Sequence, residues 1–177
     1  MSKAVMISIR PKWCEKICGG EKTIEVRKTR PKLETRFKCY IYCTLQGCNE
    51  FFRVDLGGDV AKWNHGKWAD RKGKIIGEFI CDRIYELAPL NHAPDDVEKQ
   101  ACLTREEIVN YLKGAGYGWH ISDLRIYDTP KELSEFKTLC RVDANCCACP
   151  YYNYTKMDCD GRVIGRPPQS WCYVQEG

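Results

Sequence analysis

A single segment near the N-terminus, with the sequence GEKTIEVR over residues 20–27, constrains the fold of this chain more than any other. From Thr23 onward, β-branched residues alternate with charged ones, which predicts a β-strand. Successive side chains on a strand point to opposite faces, so Thr23, Glu25 and Arg27 share one face. The preceding glycines allow a sharp turn that places Lys22 at the start of the strand. These charges suit an anion or a nucleobase edge, and the alternative is a solvated strand face with paired charges.

The residues before this segment predict how it is positioned. Residues 4–9 have the pattern of a short strand, and residues 10–18 have that of a short helix. Pro11 suits the first turn of a helix, and Gly19 or Gly20 suits its C-terminal cap. The chain is therefore predicted to run through a strand, a helix, a glycine turn and the charged strand.

This order of elements resembles the ASCH domain, a branch of the PUA-like superfamily. The hallmark of that family is a helix that runs into Gly-x-Lys-x-x-x-x-Arg, which Gly20, Lys22 and Arg27 match. Glu25 matches an acidic residue that many members carry. The resemblance extends beyond this motif to residues 73–79, 118–124 and 168–173.

The resemblance implies an α+β fold, a small mixed β-barrel of PUA-like (ASCH) type with peripheral helices. The several short strands that the sequence predicts, with helices between them, indicate the same architecture. A chain of 177 residues fits one domain. We therefore expect a single ASCH/PUA-like domain over residues 1–177, with insertions near residues 46–72 and 90–115 and a cysteine-rich segment at residues 138–165.

Local patterns predict further elements in the rest of the chain. Strands are predicted over residues 37–44, 74–85, 117–127 and 171–174, and a turn into a helical turn is predicted over residues 128–133. Alternate residues of the first of these strands, from Cys39 to Cys43, share one face. Thr104 and Glu107 have the spacing of a capping box, which predicts a helix from there to Lys113.

Positive charge is concentrated at the beginning of the chain. Residues 1–38 contain eleven Lys or Arg residues against four Asp or Glu residues, although the whole chain has a formal net charge of only +4. A basic face of this kind predicts an anionic partner, and nucleic acid is the commonest one. The sequence contains no run of 18 apolar residues, so no membrane partner is expected. We recognise no export signal and expect a cytoplasmic protein.

The resemblance implies that the protein binds RNA, a nucleotide or a modified nucleobase in a basic cleft walled by residues 20–27. Lys22 and Arg27 would engage a phosphate or a carbonyl oxygen, and Glu25 would orient them and read an exocyclic amine. The predicted ligand-binding residues are Arg10, Trp13, Lys22, Thr23, Glu25, Arg27, Trp119 and Trp171. Each tryptophan has two roles open to it, because it can stack on a base or pack in the core.

Two other classes of function fit the same residues. Some small ASCH proteins deacylate N4-acetylcytidine with a Lys, a Thr and a Glu, so the resemblance allows an N4-acylcytidine amidohydrolase or a ribonuclease with Lys22 and Glu25 as catalytic residues. Glu78 is the candidate for the glutamate of these enzymes, which comes later in the chain than the lysine; we call it the second-half glutamate. An adjacent Glu25 stabilises the ammonium form of Lys22, however, which counts against a nucleophilic lysine. The third class is an accessory module that binds another protein.

Thirteen cysteines in a chain without a recognised export signal indicate reduced thiols rather than a disulfide scaffold. Cys140, Cys146, Cys149 and Cys159 could offer four thiolates to a structural zinc ion, and free thiols are the alternative. A zinc ion would crosslink a segment that has little apolar content of its own.

A second basic stretch, residues 62–74, interleaves five cations with two tryptophans. This composition is typical of platforms that bind single-stranded nucleic acid, because cations follow the phosphates while aromatic faces accept the bases. The alternative is a loop whose tryptophans pack on the fold while its lysines remain solvated.

Overall fold

The computed structural model of the chain describes residues 3–45, 70–87, 93–138, 152–153, 158–159 and 161–175. The strands are β1 (Lys3–Ile9), β2 (Ile24–Arg27), β3 (Phe37–Cys43), β4 (Ile75–Cys81), β5 (Ile84–Glu86), β6 (Tyr117–His120), β7 (Ser122–Lys131), β8 (Lys137–Thr138), β9 (Tyr152–Asn153), β10 (Asp158–Cys159), β11 (Arg162–Val163) and β12 (Trp171–Gln175). The helices are α1 (Pro11–Cys18), α2 (Val97–Ala101) and α3 (Arg105–Leu112), with a 3₁₀ turn at Leu133–Glu135. The fold is thus mixed α+β, with a large sheet and few helices.

Seven strands form the larger sheet, in the order β11-β8-β12-β1-β3-β4-β7. Its central strand, β1, is parallel to β3 and antiparallel to β12, so that Ile7 lies opposite both Ile41 and Trp171. β1 is buried along almost its whole length, which explains its nearly continuous apolar sequence. The strands predicted over residues 4–9, 37–44 and 171–174 are confirmed.

α1 connects β1 to β2 and determines where the charged segment begins. Pro11 occupies the first helical position, where its missing N–H removes no intrahelical hydrogen bond. Gly19 caps the helix, and Gly20 has φ = +74°, a left-handed conformation that glycine adopts without steric strain. The N–H of Lys22 then donates to the Lys16 carbonyl oxygen at 3.0 Å. The predicted helix, glycine turn and charged strand are therefore confirmed.

β2, β6 and β5 form a smaller antiparallel sheet with two different faces. One face places Ile24 and Val26 against the helices, in an apolar cluster with Leu87 and Ile108. The other face, which carries Trp119 of β6, packs against the larger sheet. The two sheets are thus layered, with one core between them and another beneath α2 and α3.

The core between the sheets is built from apolar residues of β1, β3 and β4, together with α1. Its buried members are Val5, Ile7, Ile9, Cys14, Ile17, Phe37, Cys39, Ile41, Cys43, Ile76, Phe79, Cys81, Trp119 and Ile121. The predicted shared face of β3, from Cys39 to Cys43, is confirmed by this cluster. Burying one large apolar side chain contributes roughly 1.5–3 kcal/mol, so this core holds the two sheets together.

Two of the predicted strands are divided in the structure. The strand predicted over residues 74–85 is β4 and β5, separated by Asp82 and Arg83, and the strand predicted over residues 117–127 divides at Ile121. At each division the chain passes from one sheet to the other. Local strand propensity continues through such a crossing, so the packing of the sheets, not the pattern, reveals it.

The turn predicted over residues 128–133 is wrong for most of its length. β7 continues to Lys131, which lies opposite Ile75 of β4, and the 3₁₀ turn begins only at Leu133. The strand continues through Pro130 although proline has no N–H to donate to a strand ladder. β7 is an edge strand of the larger sheet, where a residue without an N–H need not break a ladder hydrogen bond.

α2 and α3 are short helices that lie against the smaller sheet. α3 opens with the predicted capping box, in which Thr104 Oγ1 accepts from the Glu107 N–H at 3.2 Å and the Glu107 carboxylate accepts from the Thr104 N–H at 2.8 Å. α2 buries Val97 and Ala101 in the same apolar cluster. Within the described residues, no helix combines the length and the apolar character that a membrane span requires.

The larger and the smaller sheet are joined by two short backbone crossings, where β4 passes into β5 and β6 passes into β7. Longer connections also join them, from β1 through α1 to β2 and from β2 through the following loop to β3. The hydrogen-bonded ladders of the described strands form separate sheets, so a closed barrel stays a prediction.

Candidate functional site

Lys22, Glu25 and Arg27 come together as one buried cluster, which we call the charged triad. Their exposed fractions are 2%, 6% and 7%. Glu25 and Arg27 occupy the face of β2 that is turned toward the larger sheet, and Glu25 lies opposite Trp119 of β6. Charged side chains are almost never buried to this extent unless they are paired. The triad is therefore not the solvated strand face that the sequence left open.

Glu25 is the common partner of the two cations. Its Oε1 lies 2.9 Å from Arg27 Nη2, and its Oε2 lies 3.4 Å from Lys22 Nζ. Two cations and one carboxylate leave the triad with an excess of one positive charge. Backbone carbonyl oxygens stabilise this excess, because Lys22 Nζ donates to Ala101 at 2.7 Å and Arg27 Nη2 donates to Ser8 at 2.6 Å.

Two helices enclose the Lys22 ammonium group. Ala101, whose carbonyl accepts its hydrogen bond, is the last residue of α2, and the C-terminal end of a helix favours a cation. The ring of Trp13 on α1 lies 5.1 Å from Lys22 Nζ, within the range of a cation–π interaction. Thr23 ties β2 to α2 by donating to Gln100, from its N–H at 2.9 Å and from its hydroxyl at 3.3 Å.

Arg27 reaches from the smaller sheet to the larger one. Besides its bond to Ser8 of β1, it donates through Nη1 to Ser170 Oγ, next to β12, at 3.3 Å. Ser8 in turn donates through Oγ to the Pro168 carbonyl oxygen at 2.6 Å. The Arg27 side chain therefore bridges the smaller sheet to β1 and to the residue before β12.

Two buried atoms of the charged triad have no hydrogen-bond partner among the described residues. They are Oε2 of Glu25, an acceptor, and Nε of Arg27, a donor. Oε2 has the electrostatic attraction of Lys22 but not a hydrogen bond from it. Since most buried polar atoms are hydrogen-bonded, an adjacent spare acceptor and donor suit a ligand edge that offers one donor and one acceptor.

The remaining predicted residues of α1 lie at different depths. Arg10 is the N-cap residue of the helix and its side chain is exposed. Trp13 is half-buried and packs against the core, with Lys12 Nζ 4.6 Å from its ring. The structure thus brings Trp13 to the triad and leaves Arg10 at the surface.

The two predicted tryptophans outside α1 differ in burial. Trp119 is fully buried, with its ring 5.9 Å from that of Phe37 and 6.0 Å from that of Trp171. Of its two predicted roles, the structure shows packing in the core. Trp171 is half-buried, and its Nε1 donates to Thr29 Oγ1 at 3.0 Å. Trp171 therefore connects the core to the loop that follows Arg27.

That loop forms an open groove beside the charged triad, and sequence analysis did not identify it. The groove has a volume of about 630 Å³ and is lined by Lys28, Thr29, Arg30, Pro31, Lys32, Leu33, Glu34 and Tyr117. We call it the open groove. Its alternating cations were visible in the sequence as part of the basic N-terminal region. An irregular loop has no periodicity, however, from which a surface could be assigned.

Glu78, the candidate for the second-half glutamate of the amidohydrolase alternative, lies on the other face of the larger sheet. Its neighbour Phe79 packs in the core between the sheets, so Glu78 points away from the charged triad. Glu78 Oε2 accepts from the Tyr127 hydroxyl at 2.5 Å. Burial, followed by this hydrogen bond, raises the pKa of Tyr127 well above its usual range.

A histidine–carboxylate pair lies where the chain crosses between the sheets. His120 Nδ1 is 2.6 Å from Asp82 Oδ1. Partial burial acts to raise the pKa of Asp82, but the hydrogen bond and the charge of His120, together with a backbone hydrogen bond and the charge of Arg83, lower the pKa overall. The pair ties the end of β4 to β6.

The pKa values of two thiols next to the charged triad, those of Cys14 and Cys43, are shifted in opposite directions. Burial raises the pKa of Cys14, and its hydrogen bond with Cys43 and the nearby Glu25 carboxylate raise it further. The hydrogen bond with Cys14 lowers the pKa of Cys43, against the effect of burial. Burial also raises the pKa of Cys18 to about 12. The thiols of Cys14 and Cys18 are therefore held in the protonated, poorly nucleophilic form.

The predicted zinc site falls mostly outside the described residues. Cys140, Cys146 and Cys149 lie outside them, and Cys159 is described only as a residue of β10. Most of the basic stretch over residues 62–74 also lies outside. Where side chains are described, no group of three or more His, Cys, Asp or Glu residues is arranged to hold a metal ion. Zinc binding and the tryptophan platform stay predictions.

Comparison with known proteins supports the fold. No family model and no curated protein matches the chain. The crystal structure of ASCH from Zymomonas mobilis matches with a TM-score of 0.59 and 17% sequence identity, over 98% of this chain and 88% of that one. A serine-to-alanine mutant of that protein matches with a TM-score of 0.58 and 16% identity, over 98% of this chain and 89% of that one. A tyrosine-to-phenylalanine mutant matches with a TM-score of 0.58 and 17% identity, over 99% of this chain and 92% of that one.

The protein therefore has the fold of ASCH-domain proteins. This confirms, at the level of the fold, the resemblance that Gly20, Lys22 and Arg27 indicated. At such low sequence identity the comparison carries no residue roles, so the function has to be argued from the charged triad and its surroundings.

Proposed function

We propose that the protein binds RNA or a nucleotide through the charged triad of Lys22, Glu25 and Arg27. The observation that carries this proposal is the excess positive charge of the triad, which is held almost completely away from water. A buried charge is costly unless an opposite charge or hydrogen bonds compensate it. A phosphate group supplies that compensation, because guanidinium and ammonium groups both bind its oxygens with charge-assisted hydrogen bonds.

The spare polar atoms of the triad support recognition of a base as well as a phosphate. Glu25 Oε2 can accept from an exocyclic amine, and Arg27 Nε can donate to a ring nitrogen or a carbonyl oxygen. Single-stranded bases expose their Watson–Crick edges to proteins, whereas base pairing occupies those edges in a duplex. The resemblance to ASCH domains supports the same class of ligand.

We place the entrance of the site between β2 and the β1–β12 pair. A ligand can displace the side-chain bridge from Arg27 to Ser8 and Ser170 without breaking a strand ladder. The smaller sheet would then remain attached through the crossings at Asp82 and Ile121. This entrance opens toward Lys28 and the open groove.

The test compares Lys22→Gln with Lys16→Gln as a matched control. Glutamine can still donate to the Ala101 carbonyl oxygen, so the first variant removes the excess charge with a small structural change. Lys16 is a partly exposed cation on α1 that pairs with Glu21 at 2.9 Å. Fluorescence anisotropy with a short RNA, and calorimetric titration with nucleotides and modified nucleosides, measure affinity, while near-UV circular dichroism reports on the fold.

We expect Lys22→Gln to weaken ligand binding roughly tenfold or more, since hydrogen bonds to charged groups contribute about 1.5–3 kcal/mol. Lys16→Gln is expected to bind like the wild type. The proposal is wrong if all three proteins bind equally well, or if none binds any RNA or nucleotide.

Mass spectrometry of the same mixtures tests the two rival classes of function. Conversion of an N4-acylated cytidine or cleavage of the RNA, lost in Lys22→Gln, would establish an enzyme and require a new role for Glu25. Lys22 Nζ already donates to the Ala101 carbonyl oxygen and pairs with Glu25, and this engagement supports binding over nucleophilic catalysis. Affinity that stays constant as salt increases would instead favour the protein-binding module.

A further inference from the structure

The open groove carries charges that the triad does not account for. Lys28, Arg30 and Lys32 are exposed at alternating positions of the loop, and Glu34 is the carboxylate among the lining residues. The groove therefore has an excess of two positive charges. Pro31 is buried between two of the cations, which turns the loop backbone inward and the charged groups outward.

Contacts with β12 hold the loop in this conformation. Trp171 Nε1 donates to Thr29 Oγ1 at 3.0 Å, and the Lys32 N–H donates to the Tyr173 hydroxyl at 2.8 Å. The two aromatic rings pack edge to face, 5.4 Å apart, so both anchors belong to one rigid support. A loop that is ordered before binding loses less conformational entropy when a ligand arrives.

Aromatic rings lie directly beneath two of the cations. Lys28 Nζ is 5.4 Å from the ring of Tyr111, and the Arg30 guanidinium is 5.6 Å from the ring of Tyr117. Tyr111 is 45% exposed, and Tyr117 lines the groove. Exposed cations combined with aromatic faces are typical of surfaces that bind single-stranded nucleic acid.

We infer that the open groove binds the sugar-phosphate backbone of a single-stranded nucleic acid, one nucleotide of which occupies the charged triad. This inference rests on the proposed function. A row of alternating cations fits a repeated anion better than a single one. The groove also continues from the triad, since Lys28 follows Arg27 in the chain and Trp171, which anchors the loop, follows the Ser170 that Arg27 contacts.

The test uses a variant with Lys28→Gln, Arg30→Gln and Lys32→Gln, which we call the groove variant. Its control replaces three exposed cations that do not line the groove, with Arg125→Gln, Lys137→Gln and Arg162→Gln. Both variants lose the same charge. The probes are nucleoside monophosphates, RNA and DNA single strands of roughly eight nucleotides, which lies within the usual site size, and a polyglutamate of similar charge.

We expect the groove variant to bind the single strands roughly tenfold or more weakly at low salt. We also expect the slope of the logarithm of the binding constant against the logarithm of the salt concentration to become shallower by about 2, which is about 0.7 for each of the three lost phosphate contacts. Monophosphate binding is expected to stay unchanged in the groove variant, and the control should behave like the wild type. Comparison of the RNA and DNA strands shows whether the 2′-hydroxyl contributes.

Three results would overturn the inference. The first is equal binding of the oligonucleotide by the wild type and the groove variant. The second is an equal loss in the groove and control variants, which would mean non-specific attraction. The third is equally tight binding of polyglutamate. If instead the groove variant fails and Lys22→Gln binds normally, the groove stands and the triad assignment falls.

Discussion

Two neighbouring stretches of this chain carry similar charges in opposite environments. Residues 22–27 bury two cations and a carboxylate in fixed contacts, whereas residues 28–34 expose three cations along the open groove. Desolvation makes each partner in the buried stretch essential, while solvent screens the charges in the exposed one. Burial, rather than charge density, therefore decides how strongly each charge depends on a specific partner, whether that partner is another residue or a ligand.

The largest difference is expected when each stretch loses its carboxylate. Glu25→Gln leaves two buried cations without a counter-charge, and we expect the free energy of unfolding to fall by about 3–5 kcal/mol. Glu34→Gln removes an exposed carboxylate and should change it by no more than about 0.5 kcal/mol. Urea unfolding followed by tryptophan fluorescence measures both values. Similar losses in the two variants would show that the triad is solvated.

The buried thiols of the core between the sheets extend the contrast between buried and exposed groups to pH. Burial raises the pKa of Cys14 and Cys39, and that of Cys18 and Cys81 to about 12, from an ordinary value of 9.0. These thiols stay protonated in the folded protein, whereas the unfolded chain releases their protons above about pH 9. The contribution of these thiols to the free energy of unfolding is therefore fully present below that pH. It is lost as the pH rises, by up to roughly 1.4 kcal/mol per pH unit for each thiol.

Denaturant unfolding at a series of pH values, in the presence of a reductant, measures this slope. We expect Cys39→Ala to reduce it, because the variant lacks one buried thiol that the unfolded chain would ionise. A slope that is the same in the wild type and in Cys39→Ala would contradict the assignment of Cys39 as a group that stays protonated on folding.

A smaller effect is expected where the groove loop is anchored to the core. In a double-mutant cycle of Trp171→Phe and Thr29→Val, we expect a coupling of about 0.5–1.5 kcal/mol in the free energy of unfolding, the usual contribution of one hydrogen bond. The cycle separates this bond from the packing that is lost with the indole ring. A coupling near zero would mean that the hydrogen bond between Trp171 and Thr29 does not stabilise the loop.

The smallest effect on stability is expected from the exposed cations themselves. The groove variant and its control should each unfold within about 0.5 kcal/mol of the wild type for each replaced residue, because surface charges contribute little. Thermal unfolding at matched salt concentration measures the difference between them. A much larger loss in the groove variant would show that its cations support the fold, and would erase the contrast with the charged triad.

The first third of the fold was predictable because its signals are local. Pro11, Gly20 and the alternation after Thr23 determine a helix, a turn and a strand within a few residues. The capping box of Thr104 and Glu107 is local in the same way. The break between β4 and β5, and the continuation of β7 through Pro130, could not be predicted, because each depends on a neighbouring strand.

The alternation of residue types was enough to place Glu25 and Arg27 on one strand face with Lys22 close by, because the alternation of side chains is a property of the backbone. The burial of that face could not be predicted from it, since burial depends on the smaller sheet packing its Trp119 face onto the larger one. The same packing directed Glu78 away from the triad and formed the open groove. Such outcomes depend on contacts between residues far apart in the chain, which no local pattern contains.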